Sequence, residues 1–256
     1  MVIRFSANLG LLWNELELPS AIQAAADAGF DAVECHWPYE FESSVVKQAL
    51  DKSQLPMLGI NTVPGDFVRG ERGLLALSDR TVEARAAINQ AVAYAEKIDC
   101  PRIHAMAGIA SGDVAHQCYV DNLEYAVEVA ERKNIVILIE PLNTFDNPGY
   151  FLTSTSQAVK IIDDIGSESL KMMFDCYHIG RMEGQVVKKL SALLPYIGHI
   201  QFASVPDRSE PDTGEVDYSV IFSTLDELGY TQPLGAEYRP AGMTTEGLGW
   251  MKTLTS

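Results

Sequence analysis

The run Ile135-Val-Ile-Leu-Ile-Glu140 decides the fold. Five aliphatic residues in a row leave no polar face, the pattern of a strand buried on both sides in a parallel sheet. One carboxylate closes it. Three further runs carry a polar residue at the matching place: Asp175 in Leu170-Lys-Met-Met-Phe-Asp, Gln201 in Gly198-His-Ile-Gln-Phe, and Glu237 in Pro233-Leu-Gly-Ala-Glu. These residues are separated by 35, 26 and 36 positions. That averages about 32, close to the length of one strand-plus-helix unit. A chain of 256 residues holds eight such units. We therefore expect an α/β protein, a (β/α)8 TIM barrel, with residues 1–256 as a single domain. An open doubly wound sheet is the alternative, because periodicity alone does not show closure.

Outward from this stretch, strand and helix periods alternate. Strands are expected at Ile3–Asn8, Ala32–Trp37, Pro56–Thr62 and Arg102–Ala107, before the four runs above. Helices are expected at Pro19–Ala28, Ser43–Lys52, Thr81–Ile98, Cys118–Lys133, Ser154–Ile165, Arg181–Leu194 and Tyr218–Leu228, with a last one from Thr244 to Leu254. Two long connections, Val63–Asp79 and Ser204–Asp217, both follow strands. Connections of this length are uncommon and often functional.

In such a barrel the C-terminal strand ends converge on one mouth, where the chemistry sits. Glu140, Asp175 and Glu237 would bring three negative charges to one point, with the Gln201 amide beside them. Like charges that close need a cation. An all-oxygen set suits Mg2+ or Mn2+ better than Zn2+, which prefers nitrogen and sulfur. Any one of these residues alone reads as a strand-end or helix-cap residue; all four at matching strand ends read as a metal site.

The bulk numbers set limits. Apolar residues are 47% and charged residues 21% of the chain, as in an ordinary globular core. Lys and Arg number 19 against 35 Asp and Glu, a net charge of −16. That charge repels phosphate backbones and argues against a nucleic-acid partner. No apolar run approaches the ~20 residues of a membrane helix. Cys35, Cys100, Cys118 and Cys176 form no CxxC pair and read as inert thiols in a reducing cytoplasm. The N-terminus lacks the features of a signal peptide.

Several motifs carry a resemblance. Ile139-Glu-Pro-Leu-Asn, Phe174-Asp-Cys-Tyr-His, His199-Ile-Gln, Pro206-Asp-Arg-Ser-Glu-Pro-Asp-Thr-Gly-Glu and Glu237-Tyr-Arg-Pro stand in the order of the hydroxypyruvate isomerase family. That family belongs to the xylose-isomerase-like TIM barrels. Phe5-Ser-Ala-Asn-Leu, Asn61-Thr-Val-Pro-Gly-Asp and Gly70-Glu-Arg-Gly-Leu match as well, so the resemblance runs from about residue 3 to 252. It implies that Glu140 and Glu237 are a catalytic acid/base pair as well as metal ligands, and that Asp175 and Gln201 complete the metal set. His178 and Arg208 resemble the family's substrate-binding positions. This chain departs from the family at Arg239, often Lys there, and at Ser78-Asp-Arg, often Pro-Gly-Arg.

The implied reaction interconverts hydroxypyruvate and tartronate semialdehyde by proton transfer through an enediolate, whose charge a divalent cation offsets. The same residues would serve a 2-oxo-tetronate isomerase or a ketose 3-epimerase. A barrel that binds a sugar or acid without turning it over is the non-enzyme alternative. The expected partner is a small 2-oxo or hydroxy acid or sugar, and a homo-oligomer is compatible with the reading. Arg208, and secondarily Arg239, would meet a substrate carboxylate. His36, His104 and His199 read as strand packing residues, with His104 within reach of the mouth. His116 reads as a solvated helix start. Glu71 reads as a loop salt-bridge partner, and Trp13, Trp37, Tyr39 and Phe67 read as caps on the core.

Overall fold

The computed structural model of the protein describes residues 3–254. Within them the chain alternates as expected: β1 (Phe5–Asn8), α1 (Leu18–Asp27), β2 (Ala32–Glu34), α2 (Ser43–Ser53), β3 (Ile60–Asn61), α3 (Thr81–Lys97), β4 (Arg102–His104), α4 (Gly112–Glu131), β5 (Val136–Ile139), α5 (Thr155–Ile165), β6 (Leu170–Asp175), α6 (Cys176–Met182), α7 (Val186–Leu193), β7 (Ile197–Phe202), α8 (Tyr218–Glu227), β8 (Leu234–Ala236) and α9 (Trp250–Thr253). All strand pairs are parallel, in the order β2-β1-β8-β7-β6-β5-β4-β3.

The sheet closes between β2 and β3. Val33 N donates to Pro56 O at 3.0 Å and Leu58 N to Val33 O at 2.7 Å, a parallel bridge of Val33 with Met57. The pairing then slips by one residue, with Cys35 N on Gly59 O at 3.2 Å and Asn61 N on His36 O at 2.8 Å. This slip is why β2 and β3 are shorter than the runs 32–37 and 56–62 expected from the sequence. The fold is a (β/α)8 TIM barrel. At its floor the Arg102 guanidinium crosses from β4 to β7, its Nε donating to Gly198 O at 2.9 Å. Gly198 is required there, since a Cβ would sit 2.7 Å from both Leu138 Cδ2 and Lys171 Cβ.

The chain ends lock the β8–β1 seam. Trp250 is fully buried, edge-on to Phe5 and Phe202 at 4.9 and 5.4 Å, and its Nε1 donates to Tyr238 Oη at 3.0 Å. Local signals set several helix ends. Ser154 caps α5 by accepting from Gln157 N at 3.2 Å, and Gly166 ends it at φ 66°. Asp217 caps α8 through the amides of Ser219 and Val220.

Three helix expectations need correcting. The segment 181–194 is two elements, α6 and α7, because Gly184 and Gln185 take left-handed backbone at φ 63° and 51°. The helix expected from Cys118 begins at Gly112, so half-buried His116 lies within α4 rather than at its start. The last helix is a 3-10 turn at Thr244–Gly247 followed by the single turn α9.

Candidate active site

The mouth is built by strand ends. Asp175 is both the last residue of β6 and the N-cap of α6. Its Oδ1 accepts from Tyr177 N at 2.8 Å, so only Oδ2 faces inward. One helical turn later His178 comes back beside it, with Nε2 3.6 Å from Asp175 Oδ2 and 3.9 Å from Glu140 Oε1. The buried segment after β5 fixes this ring: Asn143 N and Nδ2 lie 3.1 and 2.7 Å from His178 Nδ1. An Nδ1 that accepts from a backbone N–H leaves the ring proton on Nε2 in the neutral tautomer. Burial and the Arg208 charge press the His178 pKa down to about 3, so the ring is neutral and presents an N–H donor.

Glu237, beyond β8, is held at both oxygens. Oε1 accepts from Asn8 Nδ2 at 3.1 Å and lies 2.7 Å from His36 Nε2, while Oε2 accepts from Arg208 at 3.0 Å. Burial works to raise its pKa, but Arg208 and His36 overrule that and bring it down to about 2. Arg208 also reaches Asp175 Oδ2 at 3.8 Å, and its guanidinium lies over the Tyr177 ring. Its backbone is left-handed, φ 55°, uncommon for a non-glycine residue and a mark of a position fixed by its surroundings.

Glu140 differs. It is 5% exposed, its Oε1 has no hydrogen-bond partner, and Oε2 lies 3.4 Å from His104 Nδ1 without hydrogen-bond geometry. Burial first, then the charges of Glu237 and Asp175, push its pKa well above the ordinary carboxylate range. The same causes, burial and then Glu237, raise Asp175 to about 7. His104 is held neutral by burial, at about 3, and neither ring nitrogen has a partner.

Gln201 pairs in register with Asp175 on one side and Gly235 on the other. Its Nε2 donates to Glu34 Oε1 at 2.8 Å, which turns its own Oε1 toward the interior without a protein partner. Glu34 was not singled out in the sequence, yet it anchors this side of the mouth: Asn8 donates to Oε1 at 3.2 Å, and His199 Nε2 sits 2.5 Å from Oε2. Gly235 leaves the space, since a Cβ there would meet Glu34 Oε1 at 2.5 Å and Gln201 Cγ at 2.8 Å.

The structure thus joins Glu140, Asp175, His178, Arg208 and Glu237 by direct contacts, and ties Gln201 to Glu237 through Glu34 and Asn8. The packing reading is corrected for His36, which is held by Glu237 and lines the cavity; His199 is buried against Glu34, and His104 reaches the cavity as expected. Trp37 and Phe67 line it too, rather than capping the core. No role is legible in the sequence for Asn8 or Glu34, and His36 reads there as packing alone. The signal available was their place at the ends of the first two strands.

The cavity is about 320 Å3. Glu140 Oε1, Asp175 Oδ2 and Gln201 Oε1 are buried acceptors that no donor satisfies, and one atom each of Glu140, Asp175 and His178 lie within 4.8 Å of one another. Buried acceptors are rarely left unmatched. Two hard oxygens on mutually repelling carboxylates fit a divalent cation, and Gln201 Oε1 is a further unsatisfied acceptor on the adjoining strand. His178 fits as a donor beside it rather than as a ligand, because Nε2 carries the proton.

Over residues 22–254 the chain matches the family model of the xylose isomerase-like TIM barrels. It belongs to that family. The 2-oxo-tetronate isomerase of Cupriavidus necator is 43% identical over 253 residues, covering 97% of either chain. The hydroxypyruvate isomerase of Escherichia coli is 37% identical over 254 residues, covering 98% of either chain. A crystal structure from Brucella melitensis, of a protein named AP endonuclease, family 2, superposes with a TM-score of 0.95 at 37% identity and covers 100% of both chains. The resemblance read from the motifs is borne out, and with it membership among isomerases acting on small molecules. No described helix is long and apolar enough to cross a membrane.

Proposed function

We propose that this chain, acting as one barrel domain, interconverts hydroxypyruvate and tartronate semialdehyde. The observation that carries this is the pair of buried glutamates, Glu140 and Glu237, facing one small cavity with proton affinities pushed in opposite directions. The reaction removes a proton from C3 of hydroxypyruvate, leaves an enediolate across C2 and C3, and returns a proton to C2; the hydroxyl proton moves from O3 to O2. Atoms balance without any co-reactant. Glu237, kept ionised by Arg208 and His36, is the acceptor of the first proton. Glu140, on a strand three places around the barrel, exchanges a proton at the neighbouring carbon. His178 Nε2–H and the unpartnered Arg208 Nε donate to substrate oxygens.

Glu140, Asp175 and Gln201 would hold Mg2+ or Mn2+, with Glu237 as the fourth ligand. Such a cation, when bound, offsets the negative charge that develops on the substrate oxygens. A 2-oxo-tetronate is the second reading, favoured by the 43% identity to the Cupriavidus necator enzyme. It needs the same steps on a chain one carbon longer. Phosphodiester hydrolysis, which the name of the Brucella melitensis protein would suggest, is disfavoured by a −16 charge and a cavity of small-molecule size.

The test is direct. Purified protein with Mg2+ or Mn2+ is given hydroxypyruvate or a 2-oxo-tetronate in D2O, and product is followed by NMR. Deuterium at C2 with turnover of one substrate is expected. No turnover of either above a folded Glu140→Gln variant rejects the reading.

A further inference from the structure

Arg208 was the sequence's first choice to meet a substrate carboxylate, but its Nη2 lies 3.0 Å from Glu237 and 3.8 Å from Asp175, so its charge is shared with two acids and its Nε is left for a substrate oxygen. The mouth holds Glu140, Asp146, Asp175 and Glu237, so an anionic substrate needs another cation. We infer that Arg72, on the connection after β3, binds the substrate's carboxylate and selects 2-oxo acids over neutral sugars. This rests on the proposed function and names the group that reads its substrate class.

Three observations support it. First, Arg72 lines the same cavity as Glu140, Glu237 and His178. Second, it is held but not neutralised. Its Nη1 donates to Glu71 O at 2.9 Å and Phe67 O at 3.5 Å, and its guanidinium carbon lies 4.4 Å from the Phe67 ring centroid. Among the described residues, Nε and Nη2 carry no protein hydrogen bond and Arg72 pairs with no carboxylate. A guanidinium fixed along one edge with the other edge open is the geometry for a bidentate carboxylate contact.

Third, the neighbouring acid is removed from competition. Glu71 pairs with Arg80 at 2.7 Å and accepts from Asp66 N at 2.6 Å, so it turns away from Arg72. The loop itself is anchored: Gly73 N donates to Pro64 O at 2.9 Å, and Gly73 bridges Ala107. Gly73 has φ 128°, and a Cβ there would strike Met106 O at 2.4 Å, so only glycine lets the loop lie this close to β4. Arg239 also lines the cavity, but it is exposed and, among the described residues, has no side-chain hydrogen bond to set its direction. It is the competing candidate.

The experiment compares wild type, R72Q, R72K and R239Q. Steady-state kinetics are run on hydroxypyruvate and on dihydroxyacetone, a three-carbon ketose without a carboxylate. Calorimetry is run with tartronate, a carboxylate probe that needs no turnover. For R72Q we expect KM for hydroxypyruvate to rise about 10- to 100-fold, the loss of one charge-assisted contact, with kcat within about threefold. R72K should recover part of it, and dihydroxyacetone turnover should be the same in R72Q and wild type. Tartronate should bind R72Q more weakly by a similar factor. An unchanged KM and tartronate affinity in folded R72Q, an equal loss on both substrates, or a larger KM effect in R239Q would overturn the inference. If wild type turns over no 2-oxo acid, the proposed reaction fails instead, and the tartronate comparison still decides whether Arg72 holds a carboxylate.

Discussion

Glu140 and Glu237 are the same residue type at matching strand ends, yet they sit in opposite environments. On the arc from β8 through β1 to β2, every carboxylate oxygen has a partner: Glu237 is held by Asn8, His36 and Arg208, and Glu34 by Asn8, Gln201 and His199. On the arc of β5 and β6, Glu140 Oε1 and Asp175 Oδ2 have none. One side is a finished network and the other is a socket. The finished side fixes geometry before anything binds. The open side concentrates uncompensated charge that a cation or a proton must satisfy, which is where binding energy is released.

The largest effect should come from the glutamate pair. Glu140→Gln and Glu237→Gln should each lower kcat by roughly 10²–10⁴, the range for losing a general acid or base. The comparison is sharpened by added Mn2+, which should not restore either variant to full activity. If saturating Mn2+ did restore both, they would be ligands alone and the acid/base assignment would be wrong.

Next comes the socket's pH dependence. Burial and the charge of Glu237 raise the Asp175 carboxyl to about 7, so a cation competes with a proton there. Apparent Mn2+ affinity should strengthen as pH rises from below to above about 7. The stability of the metal-free protein should run the other way. The folded pKa of Asp175 lies above its unfolded value of about 3.9, so the folded state binds more protons in between. Melting temperature in EDTA should therefore fall from pH 4 toward pH 7. Mn2+ titrations by calorimetry that are flat across this range would break the distinction between the arcs.

Glu34→Gln tests the finished side without touching a reacting group. It should loosen the Gln201 amide and cost about 10- to 100-fold in metal affinity, as removal of a residue supporting a ligand commonly does. Binding of Mn2+ measured by calorimetry checks it; an unchanged affinity would show that Gln201 is oriented without Glu34. Gly235→Ala should act on stability rather than on chemistry. The added Cβ crowds Glu34 and Gln201 and should cost about 1–3 kcal/mol of stability, read from urea unfolding.

Much of this was legible along the chain, for identifiable reasons. Parallel strands buried on both faces read as apolar runs, so Ile135–Ile139 and its counterparts showed themselves, and eight units of similar length implied the barrel. Glu140, Asp175, Gln201 and Glu237 stood out because a polar residue beside an apolar run breaks a local pattern. Asn8, Glu34 and His36 break no such pattern. Their short strands β1 and β2 mix polar and apolar residues, and their contacts with Glu237 and His199 span 165 to 229 positions.

By itself, then, the sequence determined the order of strands and helices and which strand ends carry acids, because periodicity and side-chain chemistry are local properties. Only the tertiary structure decided that the β2–β3 seam closes, that Arg208 shares its charge with Glu237 while Arg72 faces no acid, and that two like glutamates hold protons so differently. Proton affinity and ion pairing depend on burial and on charges a few ångströms away, and those distances exist only once the barrel has folded.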